Sequence, residues 1–179
     1  MELQQYSKSI VAGENPSTVM HAARTAVAAV VSYQIARWLH FPEAYWAPIS
    51  TLIVMQSTLG AALPISLQRF VGTAIGAAIG AVSVAYFGDS LWVFGLAVLL
   101  IGLVCAVLRV ERSAYRYAGI TLAVVMLVPR ATGAQRIAVH RFLEVSLGIL
   151  VGLVLSAIWP ERRSKDSNPQ KTSEAPIRE

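Results

Sequence analysis

Residues Arg69 to Gly80 read RFVGTAIGAAIG, and 72 positions later Arg141 to Gly152 read RFLEVSLGILVG. Each stretch is a cationic head leading into an apolar helical pattern whose glycines fall four residues apart. With three membrane helices per repeat, an odd number, the second copy must thread a bilayer upside down relative to the first, as in many secondary transporters. The repeat extends beyond this match. Tyr45 and Tyr117 keep the same offset, and TLIV at Thr51 to Val54 returns as TLAV at Thr121 to Val124 with an offset of 70.

Composition supports a bilayer setting independently. Hydrophobic residues make up 55% of the 179-residue chain and charged ones 14%, where a soluble domain carries roughly 25% charge. The charges are segregated: Val71 to Phe87 and Leu91 to Leu108 contain none. At about 1.5 Å per residue, each run nearly crosses a hydrocarbon core of about 30 Å. Six spans are expected: Val19 to Leu39, Tyr45 to Leu63, Val71 to Phe87, Leu91 to Leu108, about Ser113 to Val128, and Phe142 to Trp159. The expected fold is an all-α membrane protein of six transmembrane helices, arranged as two inverted three-helix repeats.

This reading divides the chain into a polar N-terminal segment over 1–18, a membrane module over 19–160 and a charged cytoplasmic tail over 161–179. The N-terminal segment lacks an apolar core followed by a small-residue cleavage site, so the first span is expected to stay in the mature protein. The tail, with Ile177 as its single large apolar residue, cannot bury enough surface to fold by itself. Eleven Lys and Arg fall on the side that holds both termini, against four (Arg37, Arg130, Arg136 and Arg141) on the other. A multi-pass protein of a bacterial inner membrane with both termini cytoplasmic is the expectation. The net charge of +5 then reflects lipid electrostatics, and basic residues scattered over loop ends do not make a nucleic-acid surface.

Catalytic patterns are lacking. Cys105 stands alone in the fourth span, and His21, His40 and His140 are isolated near span ends. Neither a metal set nor a cofactor is expected, and no enzyme motif stands in a context that supports catalysis.

The glycines and the polar interruptions are the informative positions. Gly72, Gly76 and Gly80 share one helix face, as do Gly148 and Gly152, and such faces let another backbone approach closely. The second span turns polar at Gln56, Ser57, Thr58 and Gly60, and the fifth stops at Pro129, Arg130 and Gly133. Interruptions at matching places in two halves point to a transport pathway. Arg24, Arg69, Arg141 and Glu144 are placed at span ends, where long side chains snorkel. Arg24 and Arg69 are expected to face the cytoplasm together and to present positive charge to an anion. Arg141 with Glu144, three residues apart, reads as a local ion pair or as a proton relay.

Tyr45 to Gly80, YWAPISTLIVMQSTLGAALPISLQRFVGTAIGAAIG, resembles the fusaric acid resistance and aromatic acid exporter family. The matching residues are Tyr45, Trp46, Thr51, Gln56, Gly60, Arg69, Gly72, Thr73 and Gly76. The resemblance implies an inner-membrane efflux component for small anionic aromatic compounds, drawing on the proton gradient. Longer family members are similar to two such modules joined with soluble domains, so one module implies a homodimer in membrane lipid. The alternative is a non-transporting assembly or accessory protein whose glycine-rich faces mediate oligomerisation.

Overall fold

The computed structural model describes residues 16–55, 59–128 and 133–159, and within them the chain forms six helices and no strand. These are α1 (Pro16–Trp38), α2 (Trp46–Val54), α3 (Leu59–Phe87), α4 (Leu91–Val107), α5 (Arg112–Leu127) and α6 (Ala134–Ile158). The first, fourth and fifth expected spans match α1, α4 and α5 closely. The other three do not. The second span is a nine-residue helix, about 13 Å long, and Leu63 belongs to α3. That helix begins at Leu59 instead of Val71 and carries Pro64 inside it. The sixth helix begins at Ala134 instead of Phe142. Apolar runs mark where a helix enters hydrocarbon, whereas the backbone continues the helix through polar residues that pack against neighbours.

Two helices, over Ala62–Phe87 and Ala134–Ile158, are long and apolar enough to cross a membrane, and Leu91–Val107 is a shorter apolar helix. α4 is apolar all round yet leaves Leu96, Leu99, Leu100, Leu103 and Val107 exposed. An exposed surface of that kind belongs against lipid tails. Its inner face meets α5, where Ala97, Ile101 and Cys105 cluster with Ala118, Leu122 and Met126.

α1 and α4 end alike. The amide of Phe41 bonds the Ala36 carbonyl at 3.1 Å, and that of Val110 bonds the Cys105 carbonyl at 3.0 Å. Each closure turns on a left-handed residue, His40 (φ 56°) and Arg109 (φ 52°), the geometry that satisfies the last carbonyls of a helix. Pro48 lies in the first turn of α2, where its missing donor costs no helix bond.

Glycines bring two helix pairs into backbone contact. A Cβ on Gly72 would overlap the Ala114 carbonyl, and one on Gly76 the Ala118 carbonyl, so α3 presses directly on α5. In the other half a Cβ on Gly148 would overlap the Ala47 carbonyl, pressing α6 on α2. One turn further on, a Cβ at Gly80 would lie 3.1 Å from Val125 Cγ1, and at Gly152 3.1 Å from Val54 Cγ1. Gly76 with Gly148 and Gly80 with Gly152 keep the offset of the sequence repeat. Their targets, Ala47 with Ala118 and Val54 with Val125, keep it to within one position.

These contacts fix helix directions. α2 runs parallel to α6 and α3 parallel to α5, since residue numbers rise together along each contact. α3 and α6 run antiparallel: the rings of Phe70 and Phe142 meet with centroids 4.9 Å apart, and Ala77 and Ala81 pack with Ala138 and Ala134. Phe70 and Phe142 each follow the arginine that heads a copy of the repeat, so equivalent residues touch where the two long helices cross.

Candidate functional site at the helix crossing

Arg69 and Arg141 flank that crossing, and both are buried. Arg69 lies three turns into α3 and is 5% exposed; Arg141 lies two turns into α6 and is 2% exposed, with Glu144 beside it at 1%. The expectation of snorkelling side chains at span ends therefore fails for these three. The two helices start eight to twelve residues earlier than the apolar runs suggest.

Each guanidinium lies on an aromatic ring of the other half. Arg69 Cζ is 4.9 Å from the centroid of Tyr117 on α5, and Arg141 Cζ is 3.0 Å from that of Trp46 on α2. Trp46 and Tyr117 occupy corresponding places in the two copies, to within one position of the repeat offset. An aromatic face attracts a cation most where water is excluded.

The partners otherwise differ. Arg69 donates from Nη2 to the Ser50 hydroxyl at 3.1 Å, so its two neighbours are neutral. Arg141 has carboxylates close by, Glu144 and Glu43, and feels the repulsion of Arg69 as well. The Glu43 amide donates to Glu144 Oε1 at 3.0 Å, while the Trp46 indole donates to Glu43 Oε2 at 2.9 Å. A cavity of about 70 Å³ lined by Pro42, Glu43, Arg136, Ile137, His140, Arg141 and Glu144 adjoins this group. Arg69 Nε and Arg141 Nε and Nη1 are buried donors with no acceptor among the described residues. Buried donors of this kind call for a ligand or for ordered water.

The remaining expected residues divide. Thr51 is buried, and its hydroxyl bonds the carbonyls of Ala47 (3.1 Å) and Gly148 (2.9 Å), tying α2 to α6. Arg24 is also buried, but its Nη1 donates at 2.6 Å to the Trp159 carbonyl at the end of α6. Arg141 lies about five turns back along α6, about 27 Å away at the helical rise. Arg24 is thus held far from Arg141, and the glycine contact of Gly148 with Ser50 puts Arg69 nearer to Arg141's end. Gly60 is exposed in the first turn of α3 with nothing packed on it. No short loop links it to Arg69, because helix runs continuously between them. Gln56, Thr58 and Arg130 lie outside the described residues.

Glu43 and Ser50 were not singled out from the sequence. Ser50 follows Trp46 by one helical turn and Glu43 precedes it by three residues, so the aromatic pair was the signal that could have led to both. Among the described residues no group of three or more His, Cys, Asp or Glu is placed to hold a metal ion.

Residues 26–155 match the fusaric acid resistance protein-like family, and the chain belongs to that family. The inner membrane protein YeeA of Escherichia coli (strain K12) is 28% identical over 154 residues, covering 80% of this chain and 42% of YeeA. The uncharacterized transporter YdhK of the same strain is 28% identical over 149 residues, covering 78% of this chain and 22% of YdhK. YdhK of Salmonella typhimurium LT2 is also 28% identical over 149 residues, with 78% and 22% covered. The chain therefore spans less than half the length of these curated relatives. No solved structure matches it. Family membership together with the long apolar helices makes this a membrane protein.

Proposed function

We propose that this chain is a membrane module of an exporter for small organic anions, aromatic carboxylates above all, and that Arg69 receives the anionic group. The observation that carries the reading is a buried guanidinium whose neighbours are a hydroxyl and an aromatic ring. A buried cation without a counter-charge is costly, and a carboxylate offers both the charge and two parallel acceptors. The aromatic neighbours Tyr117 and Trp46 suit a flat aromatic acid. Relatives named as a transporter and as an inner membrane protein support the class and the location. The proton gradient is the proposed energy source.

In this reading the six helices form two inverted three-helix repeats in the inner membrane with both termini cytoplasmic, α2 being too short to cross by itself. Support comes from the reciprocal contacts of Gly76 on Ala118 and Gly148 on Ala47, and of Arg69 on Tyr117 and Arg141 on Trp46. The site then lies where repeats meet, the usual position in transporters of this design. The proposed assembly is a homodimer in which a twofold axis relates two such modules.

The competing reading, an assembly protein that oligomerises through its glycine faces, has less support because those glycines already pack against α5 and α2 of the same chain. Flux of 4-hydroxybenzoate in proteoliposomes tests the proposal. Arg69→Lys is expected to weaken flux and Arg69→Ala to weaken it further, at unchanged membrane insertion, since lysine keeps the charge but not the planar fork. Flux by Arg69→Ala equal to the parent's at limiting substrate would return Arg69 to a packing role.

A further inference from the structure

α3 carries a polar stripe that α6 lacks. Ser66 stands three residues before Arg69 and Thr73 four after it, whereas the same places around Arg141 hold Ala138 and Val145. At 3.6 residues per turn the three residues of α3 fall within an arc of about 60°, and all three are buried. In the second half these places serve packing: Ala138 clusters with Ala77 and Val125, and Val145 with Val54, Ala62 and Ile149. The Ser66 hydroxyl has no partner among the described residues, although the residue is only 4% exposed. Hydroxyls nearby behave otherwise. Ser50 donates to the Trp46 carbonyl at 3.0 Å, Thr121 to the Tyr117 carbonyl at 3.0 Å and Ser146 to the Phe142 carbonyl at 2.7 Å, each one turn back along its own helix. The Ala62 carbonyl stands at that distance from Ser66, and the hydroxyl does not bond it. A buried hydroxyl left unbonded weakens a fold.

The arginine beside it is left in a matching state. Ser50 gives its proton to Trp46 and accepts from Arg69 Nη2 at 3.1 Å, which fixes the guanidinium, while Arg69 Nε has no acceptor among the described residues. Ser50 therefore has no proton to offer a ligand. Ser66 has one, and side chains three apart on a helix are neighbours. From this pattern we propose that Ser66 is an anion-binding residue whose hydroxyl donates to the carboxylate that Arg69 holds through Nε, with Ser50 as the positioning residue that orients the guanidinium. The proposal deepens the anion reading above and rests on it. The carboxylate is the group addressed because Ser66 and Nε present two donors side by side, and two oxygens sharing one negative charge satisfy both. A neutral ring substituent would satisfy one donor and leave the guanidinium uncompensated. On this assignment Ser66 weakens the fold of the free protein and strengthens the complex, the trade between stability and function that binding residues show.

The test makes two measurements on Ser66→Ala in the purified full chain in detergent. Thermal unfolding without added acid is expected to give a melting temperature above the parent's, since the change removes the unbonded hydroxyl and brings in a better helix former. Calorimetric titration with 4-hydroxybenzoate and with benzoate at neutral pH is expected to show affinity about tenfold weaker for both acids, the worth of one hydrogen bond to a charged group. Opposite movement of stability and affinity is the signature, because a serine that only packs would not lower affinity while raising stability. A melting temperature at or below the parent's, failure to fold included, would overturn the assignment. Unchanged affinity for either acid would do the same, and a loss confined to 4-hydroxybenzoate would assign the Ser66 hydroxyl to the ring substituent instead. Each of these outcomes leaves the anion reading standing as long as Arg69→Ala binds more weakly than the parent. Parent protein that binds neither acid, or Arg69→Ala that binds as tightly as the parent, removes both.

Discussion

Gly76 and Gly60 sit on the same helix, yet a methyl group has opposite consequences at the two. At Gly76 the new carbon collides with the Ala118 backbone, which cannot rotate away, whereas at Gly60 it meets nothing within 4 Å. Gly76→Ala is expected to destabilise by about 1–3 kcal/mol, the usual cost of overpacking. Gly60→Ala is expected to be neutral or to stabilise by up to about 1 kcal/mol through helix propensity. Thermal unfolding of the two variants in the same detergent separates them, and equal melting temperatures would mean that α3 does not rest on α5. His40 offers a converse case. Its φ of 56° strains a side-chain-bearing residue by roughly 1–2 kcal/mol, so His40→Gly is expected to raise the melting temperature despite the entropy that glycine adds to the unfolded chain.

Elements here are held at their ends as much as along their faces. The last carbonyls of α6 need partners, and Arg24 of α1 supplies one by bonding Trp159. A cation at this end also meets the negative pole of the helix dipole. Arg24→Leu is expected to cost about 1–2 kcal/mol for that reason, with loss of helicity starting at the C-terminal turn of α6. Hydrogen exchange confined to residues near Trp159 is the measurement, and protection there equal to the parent's would show that Arg24 does not secure the end. Thr51 performs a similar task midway, joining α2 to the Gly148 carbonyl. A helix of nine residues is otherwise too short to stay folded alone.

The whole molecule is organised around the crossing of α3 and α6. α1, α2, α5 and the apolar inner face of α4 pack around it, and the antiparallel run of α3 and α6 with the parallel pairs α2/α6 and α3/α5 fixes four directions that fit alternation of successive helices. Alternation over six helices returns the chain to the side where it began. Reporters fused after Glu179 and ahead of α1 are therefore expected to be active on the same, cytoplasmic side. A fusion after Glu179 active only in the periplasm would break the proposed topology.

The sequence by itself determined the all-helical class of fold, the family and the close-packing glycines, because each depends on local patterns: charge-free length, residue spacing and a motif within 36 positions. The third and sixth spans were misjudged for one reason. Hydropathy registers where side chains stop being apolar, and α3 and α6 continue as helix through Ser66, Gln68 and Arg69 and through Arg136, His140 and Arg141. Those polar turns are legible as helix only once neighbouring helices are present to bury them. The candidate site was half legible. Arg69, Arg141 and Glu144 were recognisable as costly charges in an apolar chain, but their burial was not, and neither was the aromatic ring each guanidinium meets. Arg24 looked like their companion, being another cation at the edge of an apolar run. Tertiary structure assigned it to the end of α6 instead, because a hydrogen bond joins residues 135 positions apart and no local pattern encodes such a pairing.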